Sequence, residues 1–277
     1  MYKGINRAVI AIVMAVGLAA CSDSDKKSAA ELVAVSQHAI ENKEYIKALE
    51  LLDTLNARYP KQTEIRRDAM RLRASAMEGI AADSIAVADA ELAQATLERE
   101  EWNKKFRHVD SSVGLEGYFL PVGVDEKMMT ANGIQGRVSD TGFFYMVANV
   151  QGRAIGLRAV ELCQGADRVS SADISPERVI GVEGSESASF SPEDLEVLGP
   201  WLLTHSMPDK AVLVGSRSSV TVKLSAKQAA ELADCYKYSQ ALQAQRRASI
   251  RREKFERMLA TARDQLANMP QKPGNNE

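Results

Sequence analysis

The stretch AADSIAVADAELAQATLEREEWNKKF, residues 81–106, decides the architecture. Ala81, Ile85, Ala88, Leu92, Ala95, Arg99, Trp102 and Phe106 recur within it at alternating steps of four and three. That spacing lays one seam along a helix and asks for a second helix to cover it. No proline falls between Pro60 and Pro121, so helix is expected from about Glu64 to Arg107, with Gly79 as its one internal glycine. A matching seam near the other end of the chain runs through Tyr238, Ala241, Ala248, Phe255, Leu259, Ala262 and Leu266, with Gln245 and Arg252 as polar interruptions. Its start is marked by Ser225 and Gln228, a capping-box pair, and helical sequence continues to about Leu266.

Two alanine-rich seams of one period cover each other most simply as an antiparallel pair, expected over residues 61–108 and 225–268. About 27 paired residues make a rod on the order of 40 Å long. Arg99 and Arg252 interrupt the seams, so each guanidinium must reach water or meet an acid such as Glu98, Glu101 or Glu256.

Between the two helices, over residues 113–224, the period changes to alternation and glycines come every few residues. The pattern predicts strands at Gly117–Val122, Ile134–Ser139, Gly142–Val150, Ala154–Leu162, Arg178–Val182, Ala188–Ser191, Ala211–Gly215 and Val220–Leu224. Asp140-Thr141-Gly142, Gln151-Gly152 and Ser216-Arg217 read as hairpin turns. Ser191-Pro192-Glu193-Asp194 starts a short helix through about His205. The expected fold class is α+β: an N-terminal helical hairpin, a long antiparallel coiled-coil-like pair, and a mostly antiparallel β domain with one short helix inserted between the pair.

The hairpin is expected over 28–60. Leu32, Val35, Ala39 and Ile40 form one stripe and Tyr45, Ala48, Leu49, Leu52 and Leu55 another, with Asn42-Lys43-Glu44 as the turn and Pro60 as the stop. With Pro60 on its closing proline, this stretch resembles one tetratricopeptide repeat, although Leu32 and Ser36 stand where that repeat carries tryptophan and glycine. The resemblance implies a helical packing or binding module. An ordinary helical hairpin packed on the next helix fits the same residues.

Upstream, the apolar run from Ala8 to Ala20 follows Lys3 and Arg7 and ends in Leu18-Ala19-Ala20-Cys21. The run is shorter than the roughly 20 residues a bilayer span needs and is laid out as a signal peptide over 1–20. Its end resembles a bacterial lipobox. The resemblance implies diacylglycerol on the Cys21 thiol, cleavage before it, a lipidated tether over 21–27 and attachment to the membrane. Ser22, where an inner-membrane lipoprotein would carry aspartate, implies the outer membrane. Asp23-Ser24-Asp25 is similar to the acidic tags of surface-displayed lipoproteins, but its composition better suits a solvated tether. The tail over 269–277 is expected to be disordered.

The chain has 35 basic and 37 acidic residues, and a signal peptide would remove Lys3 and Arg7. Nucleic acid is therefore not an expected partner. His38, His108 and His205 are scattered, with no zinc signature, no phosphate-cradling glycine loop and no G-x-S-x-G elbow nearby. No cofactor, metal site or catalytic set is expected. Cys163 and Cys235 are either a disulfide or two separate buried thiols. Arg246, Arg247, Arg251, Lys254 and Arg257 fall within an arc of about 140° on a helix. They make either a solvated outer face or a stripe for phosphate-bearing headgroups or an acidic protein. The expected function is a non-enzymatic envelope scaffold or protein-interaction lipoprotein, periplasmic or surface-exposed. The alternative is glycan or small-molecule binding, with Trp201, Tyr118 or Tyr145 as a platform. An envelope hydrolase comes third.

Overall fold

A computed structural model of the chain describes residues 5–110, 117–125, 131–182 and 184–269, with side chains from Asp23 onward. Helix and sheet are both present, and the chain divides into two compact units, residues 1–90 with 249–277 and residues 91–248. Two helices, α3 (Thr63–Asn103) and α5 (Ala226–Asn268), contribute to both.

In the first unit α1 (Ile5–Glu41) turns at Asn42–Glu44 into α2 (Tyr45–Arg58). The helix α2 stops ahead of Pro60, whose ring disfavours a helical Tyr59. Ala39, Ala48, Leu52 and Leu55 are buried, but Val35 points outward. Asp23–Lys27, expected as a tether, is helical. No glycine or proline lies between Gly17 and Pro60 to break α1. Gly79 does not interrupt α3 either: a Cβ there would come within 2.3 Å of the Tyr45 ring, so the glycine is what lets that ring lie on the helix. Within this unit Arg263 pairs with Glu78 at 3.0 Å and Arg252 with Asp89 at 2.5 Å, so α3 and α5 run antiparallel. Arg252 also reaches Glu256 on its own helix at 2.9 Å. The alanines at the seam, Ala81, Ala88 and Ala262, are buried. Among the described residues no helix is long and apolar enough to cross a membrane.

In the second unit α3 ends at Asn103, four residues short of the expected end. Lys104 and Lys105 turn the chain, and Phe106–Val109 form β1, although helix is expected through Arg107. That strand has a ready partner, because Phe106 to Val109 pair with Pro121 to Tyr118 of β2 (Tyr118–Pro121). The chain continues through β3 (Gly133–Ser139), β4 (Phe144–Val150), β5 (Leu157–Gln164), β6 (Asp167–Ser170), β7 (Val179–Val182), β8 (Ser185–Phe190), α4 (Leu198–Thr204), β9 (Lys210–Gly215) and β10 (Ser219–Lys223). The strands form two antiparallel sheets, one of order β1-β2-β3-β4-β8-β7 and one of order β10-β9-β5-β6. Strand β6 was not expected from the sequence. The short helix begins at Leu198 rather than at Pro192, because Asp194 holds the Ser191 N–H and hydroxyl and ties them to Arg178 in a turn. The capping box at the start of α5 forms as the sequence predicts, with the Gln228 N–H donating to Ser225 Oγ and the Ser225 N–H to Gln228 Oε1.

One core fills the space between the sheets: Val138, Phe144 and Met146 from one, Val160, Leu162 and Leu213 from the other, closed by Leu198 and Leu202 of α4 and Leu232 and Tyr238 of α5. Gly136 lets β3 come this close to α5, since a Cβ would stand 3.1 Å from Leu232 and 3.3 Å from Cys235. The sheets are tied by Glu186 of β8, which is 6% exposed. Its carboxylate accepts the backbone N–H groups of Ile155, Gly156 and Leu157, each at 3.0 Å, and Arg217 Nη2 at 3.3 Å.

Replacing Glu186 with Gln should destabilise this unit by about 2–4 kcal/mol, because an amide nitrogen would face N–H donors that need an acceptor. Arg217→Met should cost under about 1 kcal/mol, its side chain being 64% exposed. Urea unfolding of the two variants measures both, and equal losses would place the strength of the clamp in the ion pair instead.

Candidate functional site

The residues that could act together lie where α3 ends and β1 begins. Arg99, Asn103, Phe106, Phe119, Asp140, Tyr238 and Leu242 line a cleft of about 420 Å³ within the second unit. The volume falls in the roughly 300–1,000 Å³ range of small-molecule sites. Three aromatic rings build its floor. Phe106 stacks on Tyr238 with centroids 4.4 Å apart, and Phe119 meets Tyr238 edge-on at 5.4 Å. Phe106 and Tyr238 are buried, while Phe119 is half-buried.

Polar groups stand around this floor in fixed orientations. The Tyr238 hydroxyl donates to Asn103 Oδ1 at 2.7 Å, which directs the Asn103 amide nitrogen away from the tyrosine. Arg99 donates to Gln245 Oε1 at 2.9 Å, and Gln245 in turn donates to Thr96 Oγ1 at 3.0 Å. No carboxylate of the described residues pairs with the Arg99 guanidinium within 4 Å. Asp140 sits in the β3–β4 turn, and that turn is seated by α5. Ser239 Oγ accepts the Phe144 N–H and donates to the Gly142 carbonyl, while Gln243 donates to the Thr141 carbonyl. Asp140 Oδ1 contacts His108 Nε2 at 2.7 Å, and Asp110 Oδ1 lies 3.0 Å from the Nδ1 of the same ring. Both His108 nitrogens are therefore engaged by carboxylates. Burial pushes the Tyr238 phenol above its ordinary value, against the opposing charge of Arg99, so the group stays protonated as a hydrogen-bond donor.

The sequence-predicted residues are spread more widely. Cys21 lies outside the described side chains. The five basic residues of the stripe, Arg246, Arg247, Arg251, Lys254 and Arg257, are all exposed on α5. Arg246 donates to the Thr141 carbonyl at 3.4 Å, behind the turn that holds Asp140. Cys163 and Cys235, for which the sequence leaves a disulfide or two separate thiols open, are free and buried. Cys163, on β5, contacts Glu161, whereas Cys235 faces Gly136 from α5. Among the three aromatics named for stacking, Trp201 is occupied by His205, parallel at 4.2 Å. Tyr118 carries Arg137 over its face at 4.4 Å, and Tyr145 stands opposite Arg137 in the β3–β4 register. His38 is exposed beside Glu41. Among the described residues no three His, Cys, Asp or Glu side chains converge as a metal site.

The cleft was legible in part. Arg99, Trp102 and Phe106 stand at the end of the seam, and Arg99 breaks its apolar character. Phe119 and His108 carry no motif and Asp140 is marked in the sequence as part of a turn alone, so strand pairing and the β3–β4 turn are what assemble them. No family model matches the chain, and neither a curated protein nor a solved structure matches it.

Tyr145, Tyr236 and Tyr238 all have phenols raised by burial. The unfolded chain therefore ionises first as pH rises from about 10, and folding stability should fall from that point upward. Phenolate absorbance of the folded protein should lag that of the urea-unfolded chain. Coincident titration curves would contradict the buried placement.

Proposed function

We propose that this chain is a membrane-anchored envelope lipoprotein, lipidated at Cys21, whose β-rich segment is a non-enzymatic binding module for a small polar ligand. In this reading the β domain is inserted between α3 and α5, which join it to the helical segment behind the anchor. The site of attachment is the outer membrane, with the module periplasmic or displayed at the surface. One observation carries the binding assignment: an arginine with no carboxylate partner among the described residues lines a cleft of ligand size together with three aromatic rings. The likeness of Leu18-Ala19-Ala20-Cys21 to a lipobox supports the address.

Binding is favoured over hydrolysis by the state of His108. A general base needs a ring nitrogen free to accept a proton from the reacting group. Here one nitrogen faces Asp140 and the other Asp110.

A protein-interaction role is favoured by a different surface. Val197, Leu203 and Met207 are exposed on and beside α4, at 67%, 51% and 47%. Such residues suit a partner protein better than a small molecule.

Cys21→Ser tests the address. In cells fed labelled fatty acid, the native chain should incorporate label and sediment with membranes, whereas the variant should do neither. Label retained by the variant, or absent from the native chain, would remove the lipoprotein reading.

A further inference from the structure

We propose that the cleft takes an acidic sugar of the uronic-acid class, a hydroxylated ring bearing one carboxylate. This inference rests on reading the cleft as a binding site. It follows from which hydrogen-bonding capacities are already spent there and which remain.

Arg99 uses one Nη on Gln245 and has no carboxylate partner within 4 Å among the described residues. Its remaining N–H groups form the planar donor fork that matches a carboxylate. Asn103 has its Oδ1 committed to the Tyr238 hydroxyl, so its amide N–H groups are the part left to offer. Asp140 has Oδ1 committed to His108, which leaves Oδ2 as an acceptor. The cleft thus presents a charged donor fork, a neutral donor and a carboxylate acceptor around the half-buried ring of Phe119.

A ligand that satisfies all three needs an anionic acceptor for Arg99. It also needs groups that both accept and donate, for Asn103 and Asp140, and an apolar face for Phe119. Ring hydroxyls accept and donate at once, and the C–H face of a pyranose suits an aromatic ring. A neutral sugar leaves the Arg99 fork without an anion. An aromatic acid leaves Asp140 and Asn103 unanswered. A phosphate monoester brings close to two negative charges into a cleft that already holds Asp140, whereas one carboxylate balances one guanidinium.

Calorimetric titration of the full chain in detergent, with glucuronic acid, a trigalacturonic acid, glucose and benzoate as probes, tests the class. Glucuronic acid should bind saturably, and glucose at least about tenfold more weakly, the difference expected from one charge-assisted contact. Arg99→Gln should bring glucuronic acid down to the level of glucose, Arg99→Lys should restore part of the loss, and Asp140→Asn should weaken both sugars. A trimer tighter than the monomer supports a polysaccharide end as the source, and equal affinities support the free sugar. Glucose or benzoate binding as well as glucuronic acid, with Phe119→Leu weakening them, would overturn the acidic-sugar inference and leave the cleft as a binding site. Failure of every probe to bind would overturn both. Glucuronic acid binding unchanged in Arg99→Gln would also overturn the inference.

Discussion

A single buried carboxylate sets the geometry of the β-rich unit. Glu186 lies on the strand that continues one sheet, and the three N–H groups it accepts, Ile155 to Leu157, open the first strand of the other. Consecutive N–H groups at a sheet corner cannot all find ladder partners, and leaving them dry costs about 1–3 kcal/mol each. A carboxylate answers several donors at once where a neutral side chain could not. Arg217 at the β9–β10 turn adds an outer counter-charge. The corner where the chain crosses from β4 to β5 is thereby fixed, and with it the spacing across which Val138, Met146, Leu162 and Leu213 share one core.

The helix α5 forms the remaining wall, and it joins core to cleft. Leu232 and Cys235 press on Gly136, one turn later Tyr238 and Ser239 divide the work, and Leu242 reaches the cleft. Ser239 completes the backbone hydrogen bonding of the β3–β4 turn, which places Asp140. Tyr238, on the neighbouring position, puts its ring into the core and its hydroxyl at Asn103. A one-residue shift of α5 would lose both contacts. The position of Asp140 relative to Asn103 is thus a consequence of core packing rather than of loop flexibility.

Elements governed by local rules were readable from sequence. The capping box at Ser225 and Gln228, the stop before Pro60, and the turn at Asp140–Gly142 each depend on residues within a few positions of one another. What could not be read depends on distant partners. Phe106 continues a helical seam in every local respect, yet pairing with Pro121 and stacking on Tyr238 make it a strand residue. The corner between the two sheets is held by Glu186, a residue that its charge would place on a surface although it shares the inward face of β8 with Ala188 and Phe190. The seam itself was legible because alanine at Ala81, Ala88 and Ala95 is informative in both directions: small enough for close helix approach and apolar enough to demand it.

Arg99 and Arg252 show why a break in a seam has to be read with its partner. Both occupy polar interruptions of an alanine-rich surface, and both keep polar company. Arg252 meets Asp89 across the pair and Glu256 along its own helix, so its charge is balanced and its role is to join helices. Among the described residues Arg99 meets the neutral amide of Gln245 and no carboxylate, at the point where α3 gives way to a strand and the seam opens into a cleft. A guanidinium held by an amide is oriented without being neutralised. The same substitution in the heptad pattern therefore has two physical meanings. The one without a carboxylate is the one that faces space large enough for a ligand.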